Sequence, residues 1–373
     1  MSGMKLIAEV LFIVLVLTSL IQLGYYWTNY RRLAYFVRRT AVVNAKPLSV
    51  IICARNEAEC LKKYLPEVLE QDYSSFEVIV VNDCSWDDTD LVLKDFEKQY
   101  KHLKIVTINE QEKYKHGKKF ALTLGIKAAT NDLLLFTDAD CRPLGKQWLS
   151  KMQENFSDKS DFVLGYGAYN KEPGLVNKLI RFDAFIIATQ FLSAALAGKA
   201  YMGVGRNLAY KKTIFFKNKG FAKHNHVLSG DDDLFVNENA NAENCTIEIT
   251  PEAFTTSEPK KSFSDWFIQK KRHLSTSRYY KSSDKISLFL KNGSVIFFYL
   301  LLISLLILQF DWRILVSLYA FVLLAKMPII YKIATKLKEK DLVWSYPLLE
   351  LFHTLLLPLF FLANLISKQK TWK

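Results

Sequence analysis

Residues 47–83, PLSVIICARNEAECLKKYLPEVLEQDYSSFEVIVVND, contain the pattern that decides the fold. Two short apolar runs, at 48–54 and 76–82, flank a segment at 57–71 whose apolar residues recur at helical spacing. Apolar runs of this length are typical of strands that are buried on both faces. The stretch therefore predicts a strand, a helix and a second strand, which is the repeating unit of a parallel sheet covered by helices.

The same alternation continues along the chain to about residue 137. Apolar runs at 104–108 and 132–137 predict two further strands, and the segments 87–100 and 118–129 have helical spacing. We therefore predict an α/β domain with a mostly parallel sheet. Sheets of this kind bind their ligands at the carboxyl ends of the strands.

The two ends of the chain are more apolar than its middle. An uncharged run at 10–30 is long enough, at about 1.5 Å per residue, to cross a hydrocarbon layer of about 30 Å. Near the other end, 292–310 is uncharged, 314–331 contains a single lysine, and 342–367 is interrupted by two prolines. We predict an N-terminal anchor, a hairpin of two spans, and a last segment that either spans the membrane or follows a re-entrant or interfacial course.

These features divide the chain into six parts. They are an N-terminal transmembrane anchor (1–30), a basic juxtamembrane linker (31–46), a cytoplasmic domain (47–262), an amphipathic interface segment (263–291), a transmembrane hairpin (292–331) and a third C-terminal transmembrane or re-entrant segment (342–367). Lysine and arginine flank the anchor and the hairpin on the side of the middle domain, which predicts a cytoplasmic location for that domain.

The charge and the cysteines narrow the range of partners. The chain has 50 Lys and Arg against 37 Asp and Glu, a net charge of +13. Much of the positive charge lies next to the predicted spans, where anionic lipid would face it, and no DNA-binding or RNA-binding motif accompanies it. We expect membrane lipid as a partner and no nucleic acid. The five cysteines form no C-x-x-C pair and are expected to be reduced core residues.

Polar side chains follow three of the four predicted strands. Glu57 lies just after the first strand, Asp83 follows the second, and Asp138 and Asp140 follow the fourth. A single aspartate at a strand end is usually a cap or turn residue. Two carboxylates two residues apart repel each other unless a cation or a sugar hydroxyl shares the site. The Asp138/Asp140 pair therefore has two interpretations. It is either a site for a metal ion or another ligand, or a surface turn.

Two common nucleotide-binding motifs are absent from the sequence. It contains neither G-x-x-x-x-G-K-S/T nor G-x-G-x-x-G. The main sequence evidence for a P-loop ATPase or for a dinucleotide-dependent enzyme is therefore missing. Gly117 and Lys118 at a predicted helix start would supply backbone N–H groups and positive charge to a phosphate. The same pair is also common at solvated helix starts.

Five segments, in this order, resemble the membrane-bound family 2 glycosyltransferases. They are PLSVIICARNEAECLKKYLPEVLEQDY (47–73), EVIVVNDCSWDDT (77–89), GKKFALTLGIKAATNDLLLFTDADC (117–141), LSGDDDLF (228–235) and QKKRH (269–273). The resemblance covers roughly residues 47–280. It implies a GT-A-type, Rossmann-like domain flanked by transmembrane helices, located at the bacterial inner membrane, and a metal-dependent hexosyltransferase activity of class EC 2.4.

The resemblance also implies roles for individual residues. Asp83 is similar to the aspartate that holds the nucleotide base, and Asp140, with Asp138, to the ligand of a divalent cation, Mg²⁺ or Mn²⁺. The nucleotide-sugar side would comprise Ala54, Glu57, Asp83, Lys118, Asp138, Gln269 and Arg272.

The resemblance also implies that Asp232, with its neighbour Asp231, is the catalytic position, with Asp232 as the general base. A sugar hydroxyl is too weak an acid to attack at neutral pH, so a carboxylate that faces the anomeric carbon must take its proton, a contribution of typically ~10²- to 10⁴-fold. Mutual repulsion among Asp231, Asp232 and Asp233 would raise their pKa values, which suits a base. Without the resemblance, a solvated loop or a helix N-terminus explains this run equally well.

The acceptor side is less clearly marked. Gly205 and Arg206 are candidate acceptor contacts within 201–210, where a structural turn is an equal alternative. His273 stands where the family usually has Trp, which argues against processive synthesis. Trp266 fits an amphipathic helix on the membrane surface and core packing equally well.

The resemblance implies an inverting transferase, and the presence of a candidate base rather than a nucleophile agrees with it. It would move a sugar from a nucleotide-sugar donor, expected to be a UDP-sugar, to a lipid-linked or glycan acceptor at the cytoplasmic membrane face. The alternatives are a processive polysaccharide synthase that extends and exports a polymer, and a catalytically inactive membrane scaffold. Every carboxylate that the chemistry requires is present, which argues against the scaffold.

Overall fold

The computed structural model describes residues 2–38, 44–109 and 117–366. Residues 39–43 of the predicted linker and residue 367 of the predicted last segment lie outside the described residues.

The helices are α1 (Ser2–Tyr25), α2 (Arg31–Ala34), α3 (Ala58–Leu69), α4 (Thr89–Gln99), α5 (Lys118–Ala128), α6 (Trp148–Gln153), α7 (Leu175–Leu196), α8 (Lys212–Lys217), α9 (Asp233–Asn239), α10 (Phe263–Leu274), α11 (Ser282–Ile307), α12 (Trp312–Lys336) and α13 (Tyr346–Ile366). The strands are β1 (Leu48–Ala54), β2 (Phe76–Asp83), β3 (Leu103–Ile108), β4 (Leu133–Asp138), β5 (Cys141–Pro143), β6 (Phe162–Gly165), β7 (Gly167–Tyr169), β8 (Leu208–Lys211), β9 (Cys245–Glu248) and β10 (Thr255–Ser257).

A seven-stranded sheet forms the centre of the α/β domain, in the order β3-β2-β1-β4-β8-β6-β9. β1 pairs in parallel with β2 and β4, and β2 with β3, whereas β8 runs antiparallel to both of its neighbours. The register aligns Ala54 with Asn82 and Cys53 with Asp138, so three strands end at one edge of the sheet. The prediction of a mostly parallel sheet in an α/β domain is confirmed.

The two faces of this sheet are covered by different helices. Ile51 of β1 belongs to a buried cluster that includes α5, while Val50 and Ile52 belong to a second cluster that includes α3 and α4. Gly125 lets α5 lie close to the sheet, because a Cβ at this position would come within 2.8 Å of the Ile51 side chain. This layering holds the carboxyl ends of the strands in place.

A second, three-stranded sheet has the order β5-β10-β7. β5 begins at Cys141, directly after Asp140, and pairs antiparallel with β10. Strands of three residues show no recognisable apolar period, so this sheet was not predicted from the sequence. It holds the chain that leaves the Asp138/Asp140 pair.

Five helical stretches in the described residues are long and apolar enough to cross a membrane, judged by length and composition. They are Gly3–Ala34, Leu175–Leu196, Ser282–Ile307, Trp312–Lys336 and Tyr346–Asn364. The first joins α1 to α2 through a π-helical turn, Tyr26–Tyr30. The second, α7, was not predicted. It is 72% buried within the protein, against 28% or less for the other four, so its apolar residues are largely used by the core.

A polar cluster joins the long helices of the predicted anchor and hairpin. Lys326 of α12 donates to Gln22 of α1 at 2.5 Å and lies 3.5 Å from Glu350 of α13. Tyr299 of α11 donates to the same carboxylate at 3.2 Å. Ionisable side chains among apolar helices are stable only when they are paired in this way.

The last predicted segment forms one helix, α13, with Pro358 inside it. Both of its ends contact the α/β domain: the Tyr346 ring lies 5.4 Å from the Phe182 ring of α7, and the Asn364 side chain donates to the Lys271 carbonyl at 2.9 Å. At about 1.5 Å per residue these contacts lie roughly 27 Å apart along the helix. α13 therefore reaches from α7 to α10, and Glu350 in its first half also contacts α11 and α12.

Candidate functional site

A cleft opens at the carboxyl ends of β1 and β4. Its lining includes Asp138 at the end of β4, Lys118 at the start of α5, Gly205, and the neighbours Asp231 and Asp232. Cys53 of β1 also lines it. The residues come from positions more than 100 apart in the chain, and the parallel register of the sheet accounts for the β1 and β4 side.

Lys118 joins the two sides of the cleft. Its Nζ lies 2.8 Å from Asp138 Oδ1 and 3.1 Å from Asp231 Oδ2. Burial alone would lower the pKa of Lys118, but the nearby carboxylates, led by Asp138 and Asp231, raise this pKa well above its usual value. The ammonium group is therefore charged at physiological pH and partly neutralises a strongly acidic cleft.

Asp232 is held by two backbone groups. Its Oδ2 accepts from the Gly205 N–H at 2.7 Å, and its Oδ1 accepts from the Asp233 N–H at 2.7 Å as the N-cap of α9. A Cβ at Gly205 would lie 3.3 Å from Asp232 Oδ2, so glycine permits this close approach. Burial, followed by repulsion from Asp231 and Asp233, raises the pKa of Asp232 to about 7. A carboxylate with this pKa is well matched to general-base catalysis near neutral pH.

Asp233 has a different environment from its two neighbours. Its carboxylate accepts from the Thr276 hydroxyl, from the Tyr280 hydroxyl at 2.8 Å, and from the Leu234 N–H. It thus anchors the segment between α10 and α11. The three adjacent aspartates therefore lie in three settings: paired with Lys118, bound to Gly205, and buried among hydroxyl groups.

Asp138, Asp140 and Cys141 form a cluster whose potential ligand atoms all lie within 4.8 Å of one another. Burial, then Asp138 and Glu57, raises the pKa of Asp140, which is the effect that a bound cation would relieve. Carboxylate oxygens suit Mg²⁺ and Mn²⁺. Burial also raises the pKa of the Cys141 thiol well above its usual value, so the thiol stays protonated. The donor set fits a hard divalent cation held by the two aspartates.

The loops that follow β1 and β2 are tied to each other beside this cluster. The Asn56 N–H donates to Ser85 Oγ, and the Trp86 N–H donates to Asn56 Oδ1, both at 3.0 Å. Asn56 and Cys84 both adopt positive φ, 55° and 52°, an uncommon conformation for side chains other than glycine. Strained backbone of this kind is often found at functional sites. The sequence places both residues at strand ends but predicts no role for them, although Asn in a loop at a strand end is a weak signal for such a turn.

Ala54, Glu57 and Asp83 lie around these loops. Ala54 ends β1, and Asp83 ends β2 and is fully buried. Cys53 lies close enough to Asp83, Asp138 and Asp231 for all three to raise the pKa of its thiol, after burial. The structure therefore places the predicted base-binding aspartate on the same side of the sheet as the cleft.

Two arginines approach the cleft from other elements. Arg206 lies with its guanidinium 4.1 Å from the centre of the Tyr169 ring and donates to Ser257 Oγ at 3.1 Å. Arg272 lies on α10. Burial alone would raise the pKa of Asp138, but Lys118, Arg206 and Arg272 together hold it below its usual value.

The remaining predicted residues of α10 have different positions. Gln269 is half-buried, one turn before Arg272. His273 lies in the last turn of α10 and is exposed. Trp266 is 3% exposed and packs 5.6 Å from the Phe360 ring of α13. Of the two interpretations of Trp266, core packing fits this position, because the indole is covered.

Residues 49–217 match the family model described as "Glycosyl transferase family 2". The structure is similar to a mannosyltransferase, PcManGT from Pyrobaculum calidifontis, solved in complex with GDP-Man and Mn²⁺, with a TM-score of 0.58 and 17% identity over 93% of this chain and 99% of that one. The structure thus has the GT-A fold, which confirms the fold expected from the sequence. The match of residues 49–217 agrees with the family expected from the sequence.

Curated relatives agree with this assignment. The chain is 30% identical to the glycosyltransferase AglE of Haloferax volcanii over 50% of this chain and 58% of that protein. It is 26% identical to the GalNAc(5)-diNAcBac-PP-undecaprenol beta-1,3-glucosyltransferase of Campylobacter jejuni over 47% of this chain and 54% of that protein. The chain spans about half the length of the curated relatives it matches.

Proposed function

We propose that the protein is an inverting, metal-dependent glycosyltransferase that moves a sugar from a UDP-sugar to a hydroxyl group of a lipid-linked or glycan acceptor at the cytoplasmic membrane face. The observation that carries this proposal is the cleft itself. Asp138 and Asp232 line it from opposite sides, and the charged Lys118 lies between Asp138 and the neighbour of Asp232.

The donor side provides the charge that a sugar-diphosphate needs. Mg²⁺ or Mn²⁺, when bound by Asp138 and Asp140, would neutralise charge on the leaving diphosphate. Lys118 and Arg272 add positive charge from this chain. Asp83 and the loop at Ala54 to Glu57 would hold the nucleoside. Gln269, on the same face of α10 as Arg272, would contact the diphosphate.

The base indicates the kind of acceptor. A phosphate acceptor is already an anion and attacks without losing a proton, whereas a sugar hydroxyl must lose one. Asp232, with a pKa of about 7, is suited to take that proton as the hydroxyl attacks the anomeric carbon. A single displacement of this kind inverts the anomeric centre, so the proposed acceptor is a hydroxyl of a saccharide. Gly205, Arg206 and His273 would line the acceptor side.

The long apolar helices support an acceptor at the membrane. We propose that the α1, α11 and α12 helices span the bilayer, and that α13 lies along the membrane-facing side of the domain, because both of its ends contact that domain. α10 packs against α13 through Phe267 and Phe360, at 4.7 Å between rings. Among the relatives, the glucosyltransferase from C. jejuni is named for an undecaprenyl-linked glycan, which agrees with a lipid-linked acceptor.

A donor panel tests this proposal. The full chain in lipid nanodiscs would be incubated with labelled UDP-sugars and GDP-sugars, with Mn²⁺ or Mg²⁺ and extracted membrane lipids, and products would be identified by mass. GDP-sugars are the first alternative donors, because the similar mannosyltransferase was solved with GDP-Man. We expect addition of one sugar from a UDP-sugar, lost in Asp232→Asn and retained in Asp95→Asn, the same change at an exposed ion pair.

Each other outcome would contradict a stated part of the proposal. A ladder of products would favour a processive synthase. Transfer from a GDP-sugar would overturn the donor, and equal transfer to water-soluble glycans by a domain cut free of its long helices would overturn the membrane acceptor. Absence of transfer from any donor would favour the inactive scaffold.

A further inference from the structure

α10, the helix that carries Gln269 and Arg272, is joined to α7 by a buried ion pair. Lys270 of α10 is 3% exposed, and its Nζ lies 2.6 Å and 2.8 Å from the two carboxylate oxygens of Asp183. Asp183 belongs to α7 and is 6% exposed. An ion pair of this kind is removed from solvent on both sides, so it is not a surface contact that salt would weaken.

The same carboxylate binds a third helix. His353 Nε2 of α13 lies 2.9 Å from Asp183 Oδ1, and because a carboxylate only accepts, the imidazole donates this hydrogen bond. The His353 ring also lies 5.9 Å from the ring of Phe182, the neighbour of Asp183. One carboxylate therefore joins α7, α10 and α13.

The position of Lys270 on α10 determines what this contact controls. Lys270 and Trp266, four residues apart, share the buried face of the helix. Gln269, Arg272 and His273 lie three and four residues apart on the adjacent face. Rotation of α10 about its axis would break the pair with Asp183 and at the same time turn Arg272 away from the cleft.

A second buried pair on α7 provides an internal comparison. Arg181, two residues before Asp183, binds Glu339 with both side chains 3% exposed. Glu339 lies just after α12 and also accepts from the Tyr166 hydroxyl. Together with Asp341, which also binds Arg181, this pair joins α7 to the chain between α12 and α13. α7 thus carries two buried ion pairs: one joins it to α10, and the other joins it to the chain between α12 and α13.

We propose that Asp183 is a positioning residue for the transfer reaction, which holds α10 so that Gln269 and Arg272 face the donor diphosphate. It does so by fixing Lys270 on one side and His353 of α13 on the other. The role of the two α10 residues rests on the proposed function, whereas the attachment of α10 to α7 and α13 does not.

The test compares Asp183→Asn with Glu339→Gln in the full chain in nanodiscs. Each variant changes one carboxylate of a buried pair to an amide. Hydrogen exchange of the peptide 263–274 and the KM for the donor would be measured for both. Because small misplacements of positioning groups cost up to about 100-fold, we expect Asp183→Asn to raise the donor KM roughly tenfold or more and to speed exchange in 263–274. Glu339→Gln should lower the melting temperature without either effect.

In Asp183→Asn, Lys270 keeps its charge but loses its carboxylate partner. The double variant Asp183→Asn with Lys270→Gln removes that charge as well. An amide pair retains a hydrogen bond across the same helices, so we expect the donor KM to return to within about threefold of the wild type, a cost near that of one neutral hydrogen bond. This variant also serves if Asp183→Asn alone does not fold.

The proposal is overturned if Asp183→Asn leaves the donor KM within about twofold and exchange of α10 unchanged, or if Glu339→Gln has equal effects. It is also overturned if the double variant folds but shows no recovery. A wild type that transfers no sugar would contradict the proposed function instead, and the exchange measurement would still decide whether Asp183 holds α10.

Discussion

The two sides of the cleft are built in different ways. On the donor side, Asp83 and Asp138 end the parallel strands β2 and β4, which lie on either side of β1, and the register of the sheet brings both to the same edge. On the opposite side, Asp232 is placed by a hydrogen bond from Gly205, and α10 by an ion pair to Asp183. The comparison teaches that the donor side depends on backbone topology, whereas the other side depends on a few buried polar contacts.

The most severe test of the comparison is Asp232→Asn. The amide keeps the shape and its oxygen accepts one of the backbone N–H groups, but it cannot take a proton from the acceptor. We expect the transfer rate to fall by about 10²- to 10⁴-fold, the usual contribution of a general base, with donor affinity retained because the donor side is intact. Single-turnover transfer and nucleotide titration measure the two quantities.

Asp233→Asn is the matched control for this change. Asp233 accepts from Thr276 and Tyr280 in the interior, so its replacement should lower the melting temperature rather than the rate of the folded fraction. Equal loss of rate in both variants would contradict the separation of roles.

The pH dependence of transfer distinguishes the two sides further. The pKa of Asp232 is raised to about 7, and a base must be ionised to work, so kcat/KM should fall about tenfold per pH unit below pH 7 and level off above it. Donor binding should change much less over the same range. A flat rate profile between pH 5.5 and 7, a window of about 1.5 units below the raised pKa, would contradict the assignment.

The same shift predicts the sign of a stability effect. The pKa of Asp232 is higher in the folded state than in the unfolded chain, so protonation of Asp232 stabilises the folded state. Above pH 7, where the group is ionised, its burial lowers the free energy of unfolding. The melting temperature of Asp232→Asn should therefore exceed that of the wild type at about pH 8, and the difference should shrink as the pH falls through 7 toward 4. A variant that melts lower at every pH would contradict this.

Lys118→Met removes the contact between the two sides. Without the ammonium group, Asp138 and Asp231 lose their shared partner, and we expect the donor KM to rise roughly tenfold with a smaller change in kcat. Lys127→Met, on the exposed face of the same helix, is the control and should leave both constants unchanged. An unaltered KM in Lys118→Met would show that the donor side does not need this bridge.

The smallest effect is expected from labelling that tests the proposed course of α13. Cysteine in place of Ile366, at the exposed end of α13, and of Trp86, an exposed residue of the domain, should react with an impermeant maleimide from the same side of sealed vesicles. Cysteine in place of Gln309, between α11 and α12, should react from the other side. Reaction of the 309 and 366 positions from one side would show that α13 spans the membrane.

The sequence predicted the donor side more completely than the rest. Strands β1 to β4 lie within one residue of their predicted bounds, because continuous apolar runs mark buried parallel strands. The family resemblance added Asp232 and α10, which no local pattern locates in space. The contacts that place them, Gly205 with Asp232 and Asp183 with Lys270, join residues 27 and 87 apart.

Other features had no clear signal in the sequence. Helix α7 is mostly apolar, and the role of its buried Asp183 cannot be inferred until the partner helices are known. Trp266 had two interpretations because core packing and a membrane surface require the same spacing of aromatic residues. Pro358 suggested an interruption of the last segment, yet α13 continues through it. Prolines are tolerated in apolar helices where neighbouring groups satisfy the freed carbonyl.

The central claim is that carboxylates brought together by the sheet hold a divalent cation and a nucleoside diphosphate in one cleft. Calorimetric titration of the full chain with UDP, with and without Mn²⁺, tests it most directly, using Asp140→Ala beside Asp95→Ala as the exposed control. The account predicts binding that requires Mn²⁺, is lost in Asp140→Ala and is unchanged in Asp95→Ala. Binding of equal affinity in the presence of a chelator, or in Asp140→Ala, would contradict it.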